Sequence, residues 1–113
     1  MNKGDIVLVP FPFTDMSQTK LRPAIVLWAD SSSNDVTLCF ISSQNIDNLQ
    51  DSEFILNSSD PEFQSTGLKI SSKARVTRIA TVEKRLISRR LGKLGDKQAQ
   101  ILNATMIKSF KLS

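Results

Sequence analysis

The chain has 113 residues, a net charge of +4 (15 Lys+Arg against 11 Asp+Glu) and 40% hydrophobic residues, which describes one small soluble domain over 1–113 and sets aside two-domain and membrane-spanning readings. The absence of His excludes paired-imidazole ribonuclease chemistry, Ser-His-Asp and Cys-His nucleophile activation, and His-bearing zinc sites. A lone Cys39 forms no intrachain disulfide and Met-Asn-Lys-Gly-Asp lacks the pattern of a signal peptide, so the expected compartment is the reducing cytoplasm.

Short Val- and Ile-rich runs between turn-forming clusters predict a mostly β domain closed by one helix. Residues 4–10 (GDIVLVP) read as the first strand, which Pro10 and Pro12 end because proline cannot donate to a ladder. A polar loop over 14–20 leads into a second strand over 21–28 (LRPAIVLW), and the cluster 30–35 (DSSSND) turns the chain into a third over 36–41. A polar loop over 42–52 precedes a short strand over 53–57 (EFILN), and another loop spans 58–66. The stretches 69–75, 77–83 and 85–91 predict two or three further strands. From 96 to 110 the period changes. Ala99, Leu102, Met106 and Phe110 recur at helical spacing, flanked by Ile101 and Ile107, and Asp96 is the expected N-cap of an amphipathic helix.

Charge is segregated along the chain. Residues 1–68 hold three basic against nine acidic residues, and residues 69–113 hold twelve basic against two acidic (Glu83 and Asp96). The basic part reads either as a surface that meets phosphates or as a solvated face.

The segment Gly-Asp-Ile-Val-Leu-Val-Pro-Phe-Pro-Phe-Thr-Asp at 4–15, followed by Lys-Leu-Arg-Pro-Ala-Ile-Val-Leu at 20–27, resembles the MazF/PemK-like toxins of bacterial type II toxin–antitoxin systems. Ala74-Arg75-Val76, Arg78-Ile79-Ala80-Thr81-Val82 and Lys84-Arg85-Leu86 extend the resemblance over nearly the whole chain. It implies a small SH3-like β-barrel with a C-terminal helix, an α+β fold. It also implies a homodimer that cuts single-stranded RNA at short sequences, without a metal or other cofactor, and that an acidic antitoxin holds inactive. A gyrase-blocking or non-catalytic binding protein on the same barrel is the alternative.

Metal-free RNA cleavage requires deprotonation of a ribose 2′-hydroxyl, stabilisation of a phosphorane-like transition state and protonation of the departing 5′-oxygen. Arg, Lys, Ser, Thr, Asp and Glu are the groups this chain has for the task. Arginine suits the charge stabilisation, because its planar fork offers two N–H bonds to phosphate oxygens. The resemblance assigns that role to Arg22, before Pro23, and a catalytic hydroxyl to Ser42, with Ser43 and Gln44 as supporting RNA contacts. It also assigns a catalytic position to Thr77, where many relatives carry an acidic residue. Thr77 cannot exchange a proton near neutral pH. Arg75 and Arg78 are further RNA-binding candidates, although strand alternation would put residues three apart on opposite faces unless the strand bulges. In the loop 11–20, Thr14, Gln18, Thr19 and Lys20 are expected to meet RNA, with Asp15. Phe11 and Phe13 either stack on bases or plug the barrel end. The basic run Lys84, Arg85, Arg89, Arg90 and Lys93 reads first as a solvated ribbon face.

Overall fold

The structure is a computed structural model that describes residues 1–10 and 20–112. Six strands, β1 (Asp5–Pro10), β2 (Leu21–Ala29), β3 (Asp35–Ser42), β4 (Glu53–Leu56), β5 (Ser72–Glu83) and β6 (Arg89–Lys93), precede one α-helix, α1 (Asp96–Ser109). They form an antiparallel sheet in the order β4-β5-β3-β2-β1-β6. The sheet curls into a half-barrel, so the architecture is an SH3-like barrel with a C-terminal helix.

Alternation sorts the apolar side chains onto two faces. Ile6, Ile25, Cys39, Ile41, Ala74 and Val76 point inward, where Leu102 of α1 and Leu94 cover them. Val7, Val9, Ala24, Val26, Leu38 and Phe40 are buried on the other face, against Ala80, Val82 and Ile87. With both faces buried, β1–β3 read as continuous apolar runs rather than as alternating ones. Cys39 is fully buried, and burial pushes its thiol up to about 12, so it acts as a small hydrophobe.

The segment between β4 and β5 reaches across the curl to β6. Ser65 Oγ donates to the Lys93 carbonyl (3.2 Å), and a Cβ at Gly92 would overlap the backbone of Ser65 and Thr66. Gly67 has φ +75° and lies so close to the Leu91 carbonyl that any side chain would overlap it. Buried Thr66 fastens the turn by donating to the Phe63 carbonyl and accepting from the Leu68 N–H. Gly92→Ala is therefore expected to lower stability by about 1–3 kcal/mol through overpacking at the closure, read as a lower urea midpoint.

Of the two or three strands expected after residue 68, two form: residues 72–83 are the single strand β5, and 85–91 divides between the end of a 3-10 turn at Lys84–Leu86 and the start of β6. A bulge interrupts β5 where the stretches 69–75 and 77–83 meet. β5 pairs with β3 as Cys39 with Ile79 and then Phe40 with Arg75, leaving Val76, Thr77 and Arg78 unpaired in the ladder. In the helix the N-cap is Gly95, with Asp96 the first helical residue. A carboxylate from another segment does the capping: Glu62 Oε1 accepts from Gln98 N (2.9 Å) and Glu62 Oε2 from Lys97 N (3.1 Å). That carboxylate lies where a side chain at Gly95 would sit. Leu102 is buried as expected, Ala99 and Met106 are half-buried, and Phe110, Ile101 and Ile107 are exposed.

Candidate functional site

The ladder dictates which candidate residues meet. β2 and β3 pair as Ala24 with Phe40, so one step further toward the strand ends brings Arg22 opposite Ser42 on the same outer face. Phe40 pairs across to Arg75 and Ser42 to Lys73, and Arg75 pairs with Glu53 of β4. A row of polar side chains thus crosses four strands at one rim of the half-barrel.

Two clefts flank Arg22 at that rim. On the outer face, Arg22, Ser42, Gln44, Arg75 and Arg78 line a cleft of about 130 Å³ with Phe40 and Ile41. The bulge, the condition under which Arg75 and Arg78 were expected to share a face, explains their joint presence. An odd number of extra residues resets the alternation, so Arg75 and Arg78 both face outward. On the inner side, at the barrel mouth, a cleft of about 280 Å³ is shared by Arg22 and Ile41 with Ser43, Lys69, Ile70 and Arg89, among others. No Asp or Glu lines either cleft among the described residues. Four arginines and a lysine around two carboxylate-free hollows make a site for an anion with apolar parts.

Ser42 is fixed in a local turn in which its Oγ accepts from the Gln44 N–H (3.1 Å). The hydroxyl proton remains to be donated toward the cleft.

Glu53 was not singled out by sequence reasoning, yet it organises one wall. Its carboxylate, almost wholly buried, accepts from Arg75 Nε (3.0 Å), Lys73 Nζ (3.0 Å) and the Gln50 N–H (2.9 Å). Lys73 Nζ also donates to the Asn48 carbonyl (3.2 Å). Burial opposes ionisation of Glu53, but the Gln50 amide, Lys73 and Arg75 together outweigh it and hold the carboxyl below its ordinary range. Tethered through Nε, Arg75 keeps its two terminal nitrogens for the cleft. The only hint in the sequence is an acidic residue opening an apolar strand, since its partners lie about twenty residues away.

Thr77 is not brought to Arg22. Its place in the bulge sets it in a separate cleft with Leu49, Asp51, Ser52 and Lys108, beside the C-terminal end of α1. Lys20 is exposed and lines neither cleft at the rim. The expected RNA contacts Thr14, Gln18 and Thr19, and the expected roles of Phe11, Phe13 and Asp15, lie outside the described residues. The basic run is divided by the fold. Arg89 is exposed, as a solvated face would have it, and also lines the barrel mouth, because it pairs with inward-facing Leu8. Arg90 donates to Asp5 (3.3 Å) and Arg85 to Glu83 (2.6 Å). The segregated charges of the sequence therefore meet in three dimensions, through Asp5 with Arg90 and Glu53 with Lys73 and Arg75. Among the described residues no three Cys, Asp or Glu side chains gather as a metal site would need, and no helix is long and apolar enough to cross a membrane.

The family model of the PemK-like, MazF-like toxin of type II toxin-antitoxin systems matches residues 2–110. The fold is similar to that of an endoribonuclease from a mycobacterial species, solved in complex with its cognate antitoxin, with a TM-score of 0.76, 12% identity and coverage of 100% of this chain and 97% of that one. It is also similar to the Mycobacterium tuberculosis toxin MazF-mt6 (TM-score 0.76, 18% identity, 96% and 98% coverage). A further endoribonuclease from a mycobacterial species gives a TM-score of 0.71 at 12% identity, with 98% and 91% coverage. At such identities the likeness is one of fold. No curated protein matches the sequence.

Proposed function

Because the chain belongs to the PemK-like, MazF-like toxins of type II toxin-antitoxin systems, we propose that it is a sequence-selective, metal-independent endoribonuclease acting on single-stranded RNA. The observation that carries this reading is the gathering of Arg22, Ser42, Gln44, Arg75 and Arg78 around one carboxylate-free cleft. A phosphodiester seated there loses nothing to like-charge repulsion and gains charge-assisted hydrogen bonds from two or three guanidinium groups.

In the proposed reaction the ribose 2′-oxygen attacks the adjacent phosphorus, a 2′-O–P bond forms and the P–5′-O bond breaks. The 2′-hydroxyl gives up its proton to solvent as the 2′-O–P bond forms, and the departing 5′-oxygen takes one from solvent, so the protons balance. The products are a 2′,3′-cyclic phosphate and a 5′-hydroxyl, and no water is consumed. Arg22, aided by Arg75 and Arg78, neutralises the charge that builds on the non-bridging oxygens, and the Ser42 proton bonds to one of them. An arginine with a free pKa above about 12 makes a poor proton carrier, so the rate rests on electrostatic stabilisation more than on general acid–base catalysis.

An acidic antitoxin segment is the proposed inhibitor, by competition for the same cations, and a homodimer is the proposed assembly. Incubating single-stranded RNA with the protein in excess EDTA, followed by end-group analysis, tests the function. Cyclic phosphate and 5′-hydroxyl ends are expected, and intact RNA at high concentrations of folded, antitoxin-free protein would overturn the reading. Because Thr77 stands in the neighbouring cleft, its role is proposed to be dispensable. Thr77→Ala is expected to keep kcat/KM within about threefold of the wild type on the RNA that the wild type cleaves best.

A further inference from the structure

The barrel mouth on the inner side of Arg22 is not needed for the phosphate chemistry, yet it is the larger of the two clefts at the rim and has more apolar residues in its lining. Leu8, Ile41, Leu68, Ile70 and Leu91 supply its walls, and Arg22, Lys69 and Arg89 its charges. Ser43 and Ser72 add hydroxyls, the latter held by donating to the Ile70 carbonyl (3.0 Å). Ile70 stands at its lip with 60% of its surface exposed.

We propose that this cleft is a nucleobase subsite: it takes up the base of a nucleotide flanking the phosphate held at Arg22 and so determines sequence selectivity. The proposal rests on the ribonuclease reading for its substrate class. Three observations lead to it. The cleft shares Arg22 and Ile41 with the phosphate-sized cleft on the outer face, so a strand passing over the rim would place a phosphate on one side and a base on the other. Its volume of about 280 Å³ lies just under the range of ordinary ligand pockets, which suits one base better than a folded partner. Its far wall is preformed. The close approaches at Gly67 and Gly92 lock the chain leading to Lys69 and Ile70 against β6, so little ordering entropy is lost on binding. Apolar walls take the flat face of a base, while Ser43 and Ser72 can read its edge.

The test measures binding separately from cleavage. Fluorescein-labelled single-stranded RNA hexamers of varied sequence are titrated with the wild-type protein by anisotropy. The tightest binder is then made with a 2′-deoxy sugar at the scissile position and with an abasic sugar at each neighbouring position in turn. One abasic position is expected to weaken wild-type binding about tenfold. Ile70→Trp, which fills the lip, is expected to weaken the intact hexamer by a similar factor and to add no further loss on that abasic hexamer. Ile70→Ala, the smaller change, should relax preference among the four bases at that position alone. Losses that multiply between Ile70→Trp and the abasic position overturn the proposal. So does unchanged RNA binding by Ile70→Trp, including the case in which that variant instead loses affinity for an acidic antitoxin peptide. The ribonuclease reading is judged separately, by whether the wild type cuts the all-ribose hexamer in EDTA.

Discussion

Arg22→Ala is expected to lower the rate of RNA cleavage about a hundred- to a thousandfold, the loss typical of removing one preorganised donor from a developing oxyanion. The effect should fall on kcat more than on KM, since Arg75, Arg78, Lys69 and Arg89 still surround the clefts and hold the ground-state anion. Arg22→Lys keeps the charge and discards the planar fork, so it should recover only part of the rate. Single-turnover cleavage in EDTA, together with the melting temperature of each variant, separates a chemical defect from a folding one. A rate within a few-fold of wild type for Arg22→Ala would refute the proposed role.

The second large effect is expected at Glu53. Removing its carboxylate leaves the Lys73 ammonium, only 9% exposed, without a charge partner, and Glu53→Ala should destabilise the fold by about 3–5 kcal/mol. Glu53→Gln keeps the shape and removes the charge, and it also has a signature in pH. The folded state holds the Glu53 carboxyl below its ordinary value, so in acid the unfolded chain takes up the proton first. The stabilisation is fully present above the unfolded pKa of about 4.3 and is lost as the pH falls through the lowered folded value. The wild type should therefore lose stability on acidification below about pH 4 more steeply than Glu53→Gln, as melting temperatures between pH 3 and pH 7 would reveal. With its Nε tether gone, Arg75 should also bind phosphate less well, which raises KM in either variant.

The sequence was most informative where a residue's role follows from its own strand. Val- and Ile-rich runs located β1 to β4, and the Arg-Pro step before an aliphatic run put Arg22 at a strand end, where β2 carries it to the rim. Ser42 was expected just past the third strand, and the structure makes it the last residue of β3. Pairings that depend on register were not readable. Nothing local to Glu53 announces Lys73 and Arg75, and only the pairing of exposed Arg89 with Leu8 places it at the barrel mouth. The helix cap was hidden likewise, because Glu62 lies in a loop more than thirty residues from the amides it accepts from. The bulge cost most, since a period-two test reads a shift of register as the end of a strand.

That bulge also bears on how the chain can change in length. An extra residue inside a regular stretch of β5 would turn every side chain on one flank to the opposite face. At Thr77 and Arg78 the neighbouring pairs already stand on either side of a shift, so an insertion or deletion there is absorbed locally. Val76, buried and bonded through its N–H to the Ser52 carbonyl (3.0 Å), anchors one end of the segment. Of the two residues beyond it, Arg78 is the place where a cation beside the outer cleft can be exchanged while the sheet stays in register.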